Sequence, residues 1–136
     1  MKLAPFVVSL ALAAPAPWAA AHETAAGAEP VRLVQRQPLG GAPGKEIVVV
    51  VVDYAPGQAS TPHVHPGTVI AYVLEGEVAS QVEGEPEITR RAGESWHEPP
   101  GVLYLVSRNA SATQPAKLLA ILVQDAGVPL KRPLPR

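Results

Sequence analysis

Residues 57–77 read GQASTPHVHPGTVIAYVLEGE. A glycine opens this stretch, Pro62 and Pro66 bracket His63-Val64-His65, and an apolar run from Val69 to Leu74 ends at Glu75-Gly76. The run is too short for an ordinary helix and reads as a strand closed by a turn. In extended backbone residues i and i+2 share a face, so the two imidazoles point the same way, about 7 Å apart at Cα. The flanking prolines stiffen that backbone. Such a pair suits two nitrogen ligands on one divalent metal ion, and imidazole serves Fe, Mn, Ni, Cu and Zn. Two exposed loop histidines would give the same local pattern, so the pair alone leaves both readings open.

Outward from this stretch the same grammar repeats. Residues 31–35 and 47–52 read as strands before it, the second a continuous β-branched run suited to a buried central strand. After it come 77–83, 87–91, 95–98, 102–107 and 117–124, separated by turns at 84–86, 92–93 and 99–101. No segment sustains a 3.6-residue apolar period with capping signals. The 16 prolines and 11 glycines in 136 residues would break a helix bundle but suit short strands and turns. Hydrophobic residues, 47% of the chain, are enough for one packed domain, whereas aromatics are only 4%, so the core is built from Val, Leu, Ile and Ala. The fold class expected is all-β, a sandwich or closed barrel.

Composition also excludes functions. A formal net charge of -1 offers no basic footprint for nucleic acid or for an anionic membrane. Without cysteine there is no disulfide, no thiolate metal site and no cysteine nucleophile. No phosphate-binding loop, dinucleotide fingerprint, Gly-x-Ser-x-Gly or zincin helix is present. Residues 1–21 read as a secretory signal: Lys2, a short apolar stretch, then Ala19-Ala20-Ala21 at the cleavage site. The apolar stretch is too short to span a bilayer. Cleavage would leave a flexible tether at 22–30, a β domain at 31–125 and a Pro-rich, irregular arm at 126–136, located in the periplasm or outside the cell.

Two motifs in order resemble those of the cupin family. Gly57, five residues, then His63-x-His65 followed by Tyr72-Val73-Leu74-Glu75-Gly76 is similar to the first; Gly93, five residues, then Pro99-x-Gly101, with Asn109 beyond, is similar to the second. The resemblance implies a small jelly-roll β-barrel with its metal or ligand site inside, and pairing of two copies as a homodimer. Two departures stand out. Where cupins carry a Glu after the second His, this chain has Val69 or Ile70, with Thr68 the nearest oxygen. Where the second motif ends in His, it has Tyr104.

The remaining candidates come from strand parity. Parity puts Trp96 and Glu98 on one face and Ser95 and His97 on the other. With Trp96 inward, Glu98 joins the pocket as a replacement carboxylate or general base. With the opposite parity, His97 becomes the third metal ligand. Tyr104 is either a phenolate ligand or a pocket plug. Tyr72, Trp96 and Thr68 are expected to line the pocket. The functional expectation is an exported cupin with a divalent transition metal at His63 and His65, acting on or binding a small molecule by dioxygenase- or isomerase-like chemistry. A non-catalytic binding or sensing barrel and a structural homodimer module are the alternatives.

Overall fold

A computed structural model describes residues 29–134. The expected signal at 1–21 lies outside the described residues, as does the tether before Glu29. The described chain forms ten strands and, among the described residues, no helix: β1 Val31–Pro38, β2 Lys45–Tyr54, β3 His63–Val64, β4 Thr68–Glu75, β5 Glu77–Val82, β6 Ile88–Arg91, β7 Ser95–Glu98, β8 Leu103–Asn109, β9 Ala116–Asp125 and β10 Arg132–Pro133. They pair antiparallel into two five-stranded sheets, β1-β2-β9-β4-β7 and β10-β3-β8-β5-β6.

The inner face of the first sheet explains where the site lies. Register across β2, β9 and β4 makes three rows: Val48, Leu122 and Val69; Val50, Ala120 and Ala71; Val52, Leu118 and Val73. All nine side chains are buried, and a fully buried Val or Leu contributes about 1.5–3 kcal/mol. The middle row holds two alanines. With no large aromatic side chain in these rows to fill the space, a cavity of about 260 Å³ opens over them. The β-branched run expected as a central strand does lie between β1 and β9, but only alternate residues of it face the core.

Two features differ from the sequence-based expectation. His63 and Val64 form a short strand of their own, paired with Tyr104 and Leu103 of β8. The C-terminal arm is not wholly irregular: Arg132 and Pro133 pair with Val64 and His63. Proline is tolerated there because β10 is an edge strand, where a missing N–H breaks no inner ladder. Gly67 lets the histidine segment pass close beneath β9. A Cβ at this position would come within 2.3 Å of the Val123 carbonyl oxygen and 2.6 Å of Gln124 Cβ.

Candidate functional site

His63 on β3 and His65 just beyond it turn their rings toward each other. Their Nε2 atoms stand 3.2 Å apart and the rings meet edge to face, centroids 4.8 Å apart. The other nitrogen of each ring faces a backbone carbonyl: His63 Nδ1 lies 2.7 Å from Thr61 O, and His65 Nδ1 lies 2.7 Å from Leu130 O. A carbonyl only accepts, so both Nδ1 atoms carry hydrogen and both Nε2 atoms of the neutral rings present lone pairs. Burial holds the rings neutral. It draws His63 below the ordinary value and His65 down to about 4, against the opposing pull of the carbonyl bonds. The Gly101 N–H donates to the His65 carbonyl at 2.9 Å, tying the Pro-Pro-Gly turn to the histidine segment.

Glu98 completes the cluster. It is 6% exposed, and its Oε2 lies 3.3 Å from His65 Nε2. Trp96 Nε1–H donates to Glu98 Oε1 at 2.8 Å and fixes the carboxyl group. Burial pushes the Glu98 carboxyl up to about 7, the Trp96 bond acting in the opposite sense. Glu98 is paired in register with Val69, and both are buried. Ile70, the other position where a cupin Glu was sought, is exposed on the outer face. Side chains paired directly across a ladder have Cβ atoms about 4.5–5.5 Å apart. The carboxylate absent at Val69 is therefore presented from the neighbouring strand.

Tyr104 lies opposite His63 on β8, its ring centroid 6.2 Å from that of His63 and 6.1 Å from that of His65. Burial and then the charge of Glu98 push its phenol well above the ordinary value, so it stays protonated. Its hydroxyl is buried without a hydrogen-bond partner. Trp96 is half-buried against the core.

Three expected site residues stand elsewhere. His97 is exposed and pairs with Thr68, Nε2 to Oγ1 at 2.6 Å, away from the histidine cluster. Tyr72 is 38% exposed on the outer face of β4. The reason is common to all three: β4 and β7 pair with Val69 opposite Glu98 and Ala71 opposite Trp96 facing inward, which turns the alternate residues outward.

Other groups in the cavity wall were missed. Tyr54 Oη bonds Ser60 Oγ at 2.8 Å and Ser107 Oγ at 2.9 Å. The Lys131 ammonium donates to the Glu29 carboxylate. Tyr54 was legible by parity, since it shares the even-numbered face of Val48, Val50 and Val52. Nothing local marks Glu29, Lys131 or the Leu130 carbonyl.

Among the described residues no three His, Cys, Asp or Glu side chains form a ready-made metal cage. The donor set nevertheless fits a divalent ion. Two lone pairs opposed at 3.2 Å repel unless a cation lies between or beside them. Nδ1 atoms bound to carbonyls are the outer-shell arrangement that orients ligating imidazoles. The orphaned Tyr104 hydroxyl adds an unpaired polar atom beside them.

The sequence profile of the cupin domain matches residues 50–122. No curated protein sequence matches the chain significantly. Among solved structures, a Klebsiella pneumoniae protein with a double-stranded β-helix domain is 22% identical with a TM-score of 0.61, over 76% of this chain and 83% of its own. The DMSP lyase DddQ of Ruegeria pomeroyi is 20% identical with a TM-score of 0.62, over 77% of this chain and 51% of its own. A Thermus thermophilus protein is 32% identical with a TM-score of 0.51, over 68% of this chain and 84% of its own.

Proposed function

The chain belongs to the cupin family, and from that premise we propose that it holds a divalent transition metal through His63, His65 and Glu98 and binds or converts a small molecule in the adjoining cavity. The observation that carries the reading is the pair of Nε2 lone pairs facing each other at 3.2 Å, each fixed by an Nδ1–H bonded to a carbonyl. A divalent ion held there would polarise a ligand oxygen or activate a bound water. His63 and His65 supply neutral nitrogen donors. Glu98 supplies the negative charge, held in place by Trp96. The valine, leucine and alanine walls keep water away from the ligand. Export to the periplasm or beyond the cell, and pairing with a second copy, belong to the same proposal.

The test is elemental analysis of the protein, purified without chelator or metal-affinity tag, beside a His63→Ala/His65→Ala variant. The expected result is about one Fe, Mn, Ni, Cu or Zn per chain, lost in the variant. Absence of metal from the wild-type protein, even after reconstitution, would overturn the reading. A second reading, a metal-free binding barrel, is favoured by one observation: a buried phenol, Tyr104, stands where the second motif ends in His. Ligand-induced thermal stabilisation of metal-free protein would select it.

A further inference from the structure

We propose that the cavity contains a carboxylate subsite, that the ligand is a small monocarboxylate with an apolar body, and that Glu29 is a tethered stand-in for that carboxylate. The inference rests on the reading of the cavity as a small-molecule site.

Glu29 precedes β1 and Lys131 follows β9, yet they meet in the cavity wall. The Glu29 side chain is 5% exposed and that of Lys131 35%, so the carboxylate lies inside and the ammonium at the mouth. Ser60 lines the same cavity wall and, after Lys131, helps to hold the Glu29 carboxyl down. Ser60 is bonded by Tyr54, and Tyr54 by Ser107. Ser107, Tyr54 and Ser60 thus form one linked run of hydroxyl groups, with Ser60 in the cavity wall that also holds Glu29. One ammonium is aimed at the buried carboxylate position, and the hydroxyl run stands in the same cavity wall. Burial alone would raise the Glu29 carboxyl, but these partners hold it below the ordinary value, so the anion is the form the subsite favours.

The subsite is built from Ser60 and Lys131, with Tyr54 and Ser107 behind them. Its present occupant belongs to no strand, and the neighbouring Pro30 carbonyl accepts from the Asp53 N–H at 3.1 Å. When Glu29 is displaced, Lys131 becomes the single unpaired cation among the described residues that line the cavity. An anion enters an apolar cavity only where such a partner waits. The 260 Å³ of space takes roughly nine non-hydrogen groups at about 30 Å³ each. A short carboxylic acid of that size would set its carboxylate on Lys131 and Ser60, lay its chain along the valine and alanine rows, and reach toward His63 and His65.

Calorimetric titration of the full-length, metal-assayed protein with hexanoate and its neutral match hexanamide tests this. In Glu29→Gln the internal competitor is gone and hexanoate should bind about tenfold tighter than in wild type. In Glu29→Gln/Lys131→Met, which removes both charges together and leaves no lone buried ion, the affinity should fall at least tenfold below that of Glu29→Gln. Ser60→Ala, which leaves the ion pair intact, should weaken hexanoate several-fold and supplies the test if the double variant does not fold. Hexanamide should bind all variants alike. Hexanoate affinity unchanged by these substitutions, or matched by hexanamide throughout, would overturn the subsite and leave the small-molecule cavity standing. Failure of both probes in every variant, with metal present, would overturn the cavity reading and the subsite with it.

Discussion

Each of the two histidines commits one nitrogen to a carbonyl and leaves the other bare, so their chemistry is decided by which neighbour carries a proton. Glu98 is that neighbour. Its carboxyl is raised to about 7 by burial, whereas His65 is lowered to about 4. Between these values the metal-free pair holds its proton on Glu98. Metal uptake requires the carboxylate, so one proton leaves for each ion bound. Apparent metal affinity should therefore rise about tenfold per pH unit from pH 5 to 7 and level off above that. The dependence of the calorimetric enthalpy on buffer ionisation should give one released proton at pH 6 and none at pH 8. A flat affinity across pH 5–7 would mean that Glu98 takes no part. The histidine pair was visible in the sequence because two residues apart in a strand is a same-face spacing. The protonation pattern was not, because it depends on the Leu130 carbonyl 65 residues away from His65.

Strands β4 and β7 carry the departure from the family pattern. Val69 and Glu98 are paired neighbours in the ladder and both face the cavity. A carboxylate on either strand can therefore reach the same point. Glu98→Val should weaken metal binding by more than the roughly 10–100-fold that loss of an outer-shell partner costs. Adding Val69→Glu to that variant should restore most of it, read as metal stoichiometry after dialysis against a competing chelator. Failure of the double variant, with its melting temperature close to wild type, would show that the two positions are not equivalent. Parity in the sequence already set Glu98 against His97 as alternatives. Pairing chose between them, since Ala71 opposite Trp96 leaves room for the indole inside. Parity also could have corrected Tyr72, which alternates outward with Ile70 and Leu74 on β4.

At the scale of the molecule, the C-terminal arm closes the site. Leu130 packs against the core and its carbonyl orients His65, while Arg132 and Pro133 pair with β3. The Gln124 side chain holds the arm through the Val128 carbonyl at 3.0 Å. A chain ending at Gly127 should keep its sheet signal by circular dichroism but lose metal affinity by about 10–100-fold, because His65 would lose the partner that sets its tautomer and direction. Unchanged affinity would assign that role to another group. By itself the sequence determined the all-β class, the order of strands and turns, and the pair of histidines, because alternation, turn chemistry and same-face spacing act over a few residues. Only the tertiary structure decided that Glu98 stands in for the carboxylate absent at Val69, that Tyr72, Thr68 and His97 look outward, and that Glu29 meets Lys131 102 residues away. Those facts are matters of register and of contacts between distant segments. No local period encodes them; they arise when the two sheets close around a row of alanines and the chain ends fold back over the gap.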